Sequence, residues 1–198
     1  MCGASGGFLL RKAFMRISVL LVCLASAGVG VSAAHAALTG SATATPTNLG
    51  AGQWGYSIQA QNSGDTTIGT LWFGWVPGKN FMGSAPANIT APADWNILVT
   101  HGGATDGWGI RWTAANAAAR IAPGASLAGF GFETAQTPTA LIANSPFYPD
   151  TPTTTSFFYI GNAFGDPGLQ FVVNVVPAPA GAAVLMGGVA LLGRRRRA

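Results

Sequence analysis

Between residues 37 and 175 no stretch holds a helical period for more than a few residues. Apolar and polar side chains alternate instead, in short runs separated by Gly, Pro, Asn and Asp. Period-two alternation puts every second side chain on one face of an extended strand, and the intervening turn residues reverse the chain. In 53–61, Trp54, Tyr56, Ile58 and Ala60 alternate with Gly55, Ser57, Gln59 and Gln61, and the turn Asn62-Ser63-Gly64-Asp65 follows. Further runs occupy 67–76, closed by Pro77-Gly78, and 95–101, closed by Gly102-Gly103. The next are 108–112, where Trp108, Ile110 and Trp112 share a face, and 127–133, which carries Phe130 and Phe132. Runs at 156–160 and 169–176 complete the set, joined by the hairpin connection Gly165-Asp166-Pro167-Gly168. With 38–45 as an opening edge strand, this predicts about eight strands. The alanine-rich 114–119 has room for one helical turn, and 138–152 reads as a proline-punctuated loop. The connections are too short for parallel crossovers, so the expected class is all-β, an antiparallel sandwich.

Charge is concentrated at the ends. Arg11, Lys12, Arg16 and the four consecutive residues Arg194, Arg195, Arg196 and Arg197 account for most of the basic side chains. Residues 37–193 keep only Lys79, Arg111 and Arg120 against Asp65, Asp94, Asp106, Glu133, Asp150 and Asp166. The calculated pI of about 9.6 therefore belongs to the termini. Nucleic-acid binding needs clustered Lys and Arg on one face, and no such cluster occurs in the middle. Both cysteines, Cys2 and Cys23, lie near the N-terminus, so the central stretch has no disulfide, thiol nucleophile or thiolate ligand to draw on. It must be held by burial.

The two ends read as handles. At the N-terminus the basic residues precede an apolar run at 17–31, and Ala34-His35-Ala36 is a small-x-small cleavage site. This predicts a signal peptide over 1–36, cleaved after Ala36, with Met15 as an alternative start. Val22 precedes Cys23 where a lipoprotein signal wants a small residue, which argues against lipidation. At the C-terminus, Pro177 and Pro179 end the last strand because neither can donate to a ladder. Residues 180–193 carry no charge and, as a helix, span roughly 21 Å, short of the ~30 Å hydrocarbon core. Such a segment inserts transiently, and the arginine cluster keeps its end cytoplasmic.

The order Pro-x-Pro, short apolar segment, arginine cluster over 176–198 resembles the PEP-CTERM sorting signal of exported proteins of Gram-negative bacteria. Here the tripeptide is Pro177-Ala178-Pro179, with alanine in place of the family's glutamate. The resemblance implies Sec-dependent export, a transient stay in the inner membrane, recognition by an exosortase, and release to the cell surface or the extracellular space. It also implies association with exopolysaccharide production. The middle, 37–175, resembles the Ig-like or jelly-roll type sandwiches that such proteins carry, flanked by an N-terminal signal helix and a short C-terminal transmembrane helix.

Catalytic groups are sparse. His101 is the sole histidine after residue 36, and it stands at a strand end before Gly102-Gly103, where a turn role accounts for it. No Gly-x-Ser-x-Gly elbow occurs, since the nearest approach, 124–128, fails at its last position. Asp65, Asp106, Asp150 and Asp166 sit in turns, where short polar side chains bond the local backbone. Asp94 and Glu133 are the less ordinary acids. Turn formation also accounts for Asn62 with Asp65 and Asn162 with Asp166, which otherwise resemble oxygen-ligand pairs for calcium.

The six tryptophans divide between core filling and a sugar-stacking platform. Trp72 is the expected exposed ring, because strict alternation sends Leu71, Phe73 and Trp75 to the other face. The sequence thus predicts an exported, surface-sorted structural or adhesive protein of the cell envelope or exopolysaccharide matrix. It calls for no catalysis, cofactor, metal or nucleic-acid partner. The alternative is a carbohydrate-binding module that uses exposed tryptophan.

Overall fold

The computed structural model describes residues 37–162 and 164–176. The expected signal peptide, with Ala34 and Ala36, lies outside the described residues. So does the expected sorting segment with Pro177, Ala178, Pro179 and Arg194 to Arg197. Among the described residues no helix is long and apolar enough to cross a membrane.

Twelve strands are present among the described residues. They are β1 (Gly40–Gly50), β2 (Gln53–Asn62), β3 (Thr70–Phe73), β4 (Trp75–Val76), β5 (Lys79–Asn80) and β6 (Ala87–Thr90). The second half holds β7 (Trp95–His101), β8 (Trp108–Ala114), β9 (Ser126–Thr134), β10 (Thr155–Tyr159), β11 (Gly168–Val172) and β12 (Asn174–Val175). One sheet has the order β12-β1-β2-β9-β6, the other β11-β10-β3-β8-β7, and β4-β5 forms a small ribbon. The pairings are antiparallel except β1 with β12, which is parallel.

The sandwich expectation is met, and its strand list needs correction. The run 67–76 is two strands, broken at Gly74, whose φ is +62°. The run 169–176 splits at Val173, where the chain leaves one sheet and joins the other. β5 and β6 are additional short strands. Within 138–152, expected as loop, Pro138–Ile142 forms a short α-helix, α1. Thr137 caps it by accepting the Ala140 N–H, and Pro138 starts it where a missing N–H costs nothing. The alanine-rich segment makes a single 3₁₀ turn at Ala117–Ala119, capped by Asn116.

The core lies between the sheets. One contributes Ala42, Ala44, Tyr56, Ile58, Phe130 and Phe132; the other contributes Leu71, Phe73, Ile110, Trp112 and Phe158. Small residues on β1 let the other sheet come close: a Cβ at Gly40 would lie 3.1 Å from the Phe158 ring of β10, which is how interiors reach crystal-like density. Phe73 meets Phe132 at 4.9 Å between centroids, and Trp112 and Trp95 both meet Phe130 edge-on, at 5.6 and 5.0 Å. Burying two indoles requires partners for their N–H groups. Trp112 donates to the Thr90 carbonyl across the sandwich at 2.8 Å, and Trp95 donates to that of Ala119 at 3.0 Å. Turn polarity is also resolved internally. Asn62, fully buried, donates to the carbonyls of Thr66 and Ile121 and accepts from the Gly64 N–H.

A methyl group at Gly74 would sit 2.8 Å from Met82 Cγ on a left-handed backbone, so Gly74→Ala should cost about 1–3 kcal/mol in denaturant unfolding. All three tyrosines ionise above their ordinary range: burial raises Tyr56 and Tyr159, and burial together with the Asp106 carboxylate raises Tyr148. Phenolate absorbance should therefore stay low as pH passes 10 and then rise together with loss of the fold. Stability contributed by these groups is full below the unfolded value and falls as pH climbs towards the folded ones.

Candidate functional site

Strand register builds a distinctive outer face on the second sheet. Leu98, Arg111, Trp72, Phe157 and Gln170 stand side by side across five strands, one residue from each. The adjacent row is Asn96, Thr113, Thr70, Tyr159 and Gly168. Trp72, Trp75 and Tyr159 form a separate buried cluster here, with Phe157 packed against it.

Sequence reasoning placed Trp72 in solvent, and the structure corrects this: its exposure is 2%. Alternation along 71–75 fails at Gly74, whose left-handed φ turns Trp75 onto the face that Trp72 already occupies. The two indoles stack at 3.9 Å between centroids with planes 15° apart. Phe164, arriving from the β10–β11 connection, lies at 5.9 Å from Trp72 and 5.8 Å from Trp75, and is itself 61% exposed. The Arg111 guanidinium sits 5.4 Å from the Trp72 ring, a cation–π contact that also keeps the charge on the sheet surface. The accessible part of this cluster is thus Phe164 and the edge of Phe157, neither of which the sequence singled out. The pairing of strands distant in sequence was the missing information.

A second polar centre stands at the end of the same sheet. Asp106 accepts hydrogen bonds from the Asn80 backbone at 2.8 Å, the Asn80 side chain at 2.5 Å and the Tyr148 hydroxyl at 3.0 Å. Burial pushes the carboxyl up, and the bonds from Asn80, Tyr148 and the Gly107 N–H outweigh it, holding the group below its ordinary value. Gly102 is required by close approach, because a Cβ there would lie 2.1 Å from an Asp106 oxygen. His101 stacks face to face on Trp108 at 4.0 Å and donates from Nδ1 to the Gly107 carbonyl, so it closes the β7–β8 turn. The arrangement is an architectural one, with each oxygen of Asp106 aimed at a donor of the fold.

Asp94 and Glu133, the less ordinary acids, are not brought together as a pair. Glu133 accepts from the Asn88 amide at 2.7 Å and lines a shallow groove of about 320 Å³ on the first sheet, beside Thr47, Leu49 and Gly131. Asp94, with φ +60°, lines a different hollow with Trp95 and Arg120. Asn62 is engaged in its turn, and Asn162 donates to the Ala114 carbonyl. Among the described residues no three His, Cys, Asp or Glu side chains converge as metal ligands would.

Asp106 generates a pH prediction. Because folding lowers its pKa, its contribution is complete above the ordinary value of 3.8 and disappears as pH falls through the folded one. Asp106→Asn should therefore be less stable than the wild type at pH 7, with the gap between their denaturant midpoints closing as pH drops below about 4.

No family model matches the chain, and no curated protein matches it. Solved structures with partial likeness include an inactive mutant of a GH20 exo-β-N-acetylglucosaminidase from Vibrio harveyi, at TM-score 0.42 and 9% identity. That match covers 70% of this chain and 18% of the enzyme. A CBM3 of Hungateiclostridium clariflavum matches at TM-score 0.38 and 9% identity, over 66% of this chain and 99% of that one. The chitin-binding domain of Chi18aC from Streptomyces coelicolor matches at 0.35 and 21% identity, over 66% of this chain and all of that domain. Likenesses at this level fix neither a family nor a ligand.

Proposed function

We propose that the chain is an exported structural or adhesive protein of the bacterial cell envelope or exopolysaccharide matrix, without catalytic activity. Its expected partners are the Sec machinery and an exosortase, with a transient stay in the inner membrane and release at the cell surface. The observation that carries the reading is a contrast between the ends and the middle. Two apolar terminal segments, each beside basic residues, bracket a domain in which several of the polar side chains singled out by the sequence are engaged in its own construction. Asp106 holds a turn, Glu133 accepts from Asn88, and the indoles of Trp95 and Trp112 bond backbone carbonyls. Removing residues 176–198 and fractionating the cells tests the address. Retention in the membrane or periplasm is expected, and unchanged delivery to the surface would remove the basis of the proposal.

A carbohydrate-binding reading is favoured by one observation, the exposed Phe164 resting on the Trp72–Trp75 stack. Sugar stacking on Phe164 would change the environment of both indoles beneath it. Titration of tryptophan fluorescence with the cell's own polysaccharide separates the readings. A saturable change lost in Phe164→Ala supports binding, whereas a flat response leaves the structural role. An activity screen on glycan and ester substrates, with Glu133→Gln as control, tests the absence of catalysis.

A further inference from the structure

We propose that the free edge of β7 is a self-association surface, on which a second copy of this chain adds its own β7 antiparallel about a two-fold axis. Unpaired strand edges expose rows of N–H and C=O groups, and proteins ordinarily block them with bulges, prolines, charges or very short strands. Three edges of this sandwich are blocked in that way. β6 has four residues, an irregular register between Ala87 and Thr90, and Asn88 at φ +45°. β12 has two residues, and Pro46, on the facing side of β1, has no N–H to extend the ladder that ends with Val176 donating to the Ala44 carbonyl. β11 begins directly after Pro167 with a glycine and ends where the chain crosses to the other sheet at Val173.

β7 has none of these devices. Its seven residues, Trp95–His101, pair with β8 in unbroken register and contain neither proline nor a Lys, Arg, Asp or Glu. Among the described residues no strand lies on its other side. The direction of its free groups follows from β8. Ala114 donates to the Gly69 carbonyl on the β3 side, so the odd-numbered residues of β8 bond β7, and Asn96, Leu98 and Thr100 face inward to them. Ile97, Val99 and His101 therefore direct their N–H and C=O groups outward. Ile97 and Leu98 are also 41% and 43% exposed, on opposite faces of the strand.

The strand complements itself. A two-fold axis at Leu98 sets Ile97 opposite the second copy's Val99 and Asn96 opposite the second copy's Thr100. It pairs the outward N–H groups of Ile97 and Val99 with outward carbonyls. Leu98 meets its counterpart in a non-hydrogen-bonded pair, the closer of the two antiparallel spacings at about 4.5 Å between Cα atoms. The two Arg111 side chains stand three strand spacings apart, about 14 Å, beyond the screening length at physiological salt. Isologous pairing consumes both edges, so the assembly closes as a dimer and does not grow into a fibre.

The test uses the full chain in mild detergent, with Cys2 and Cys23 changed to Ser. Leu98→Cys should form a disulfide-linked dimer under mild oxidation, because its Cα spacing falls in the disulfide range, about tenfold more than Asn96→Cys. The two Asn96 positions would lie about 14 Å apart along the strands. Ile97→Pro removes an outward N–H that β8 does not use, so in the Leu98→Cys background it should abolish the cross-link while leaving the circular dichroism spectrum intact. Ile97→Lys, which retains the backbone donor, should weaken cross-linking without unfolding. Equal cross-linking at positions 96 and 98, no cross-link at Leu98→Cys in a folded protein, or growth into polymers would each overturn the proposal.

Discussion

Apolar contact between the two sheets is the interaction on which the other features of this protein rest. The described domain contains no cysteine, and its few charged side chains are scattered, so burial must supply the cohesion. Trp112 stands at the centre of that contact. Its ring lies fully buried against Phe130, and its N–H reaches the Thr90 carbonyl on the opposite sheet, so one side chain links the sheets by packing and by a directional bond. Truncating a buried ring of this size typically costs about 3–5 kcal/mol, a large share of the stability of an ordinary domain. Ala42 and Ala44 of β1 are buried in the same core, and larger side chains there would hold the sheets apart.

A second aromatic assembly is built on the outside of one sheet. Trp72 and Trp75 stack on each other, Phe164 rests on both, and Arg111 flanks the near ring. This cluster joins the β3–β4 bend to the β10–β11 connection, two parts of the chain far apart in sequence, and gives the sheet apolar cover where a sandwich is usually wet. It also sets what the surface presents. Phe164, 61% exposed, is the ring this surface presents, and the two tryptophans lie beneath it.

Much of the architecture was legible in the chain. The alternation in 53–61 became β2 with Tyr56, Ile58 and Ala60 buried, and the run 95–101 became β7 with the same limits. The turn at 62–65 formed with Asn62 accepting from Gly64, the local bond expected of that residue type. The errors were also informative. Trp72 stands on the face opposite Leu71 and Phe73 that alternation gives it, but it is covered, because Gly74 takes the left-handed conformation that shifts the pattern by one and brings Trp75 onto the same face. Helix α1 was hidden in a proline-rich segment because Pro138 reads as a breaker, although at the first helical position it is well accommodated. The candidate site was less legible than the fold, since its exposed member, Phe164, stands outside any alternating run.

Local sterics and composition set the strand character, the nearly uncharged middle and the contrast between that middle and its basic, apolar ends. All of these are properties of neighbouring residues, readable at short range. Which rings are covered was decided at long range, by strands and connections that meet only after the sheets assemble. The same is true of the outer edge of β7, which no other described strand pairs with. A strand's pattern shows that it will pair on one side, but whether anything takes the other side depends on where the rest of the chain ends up.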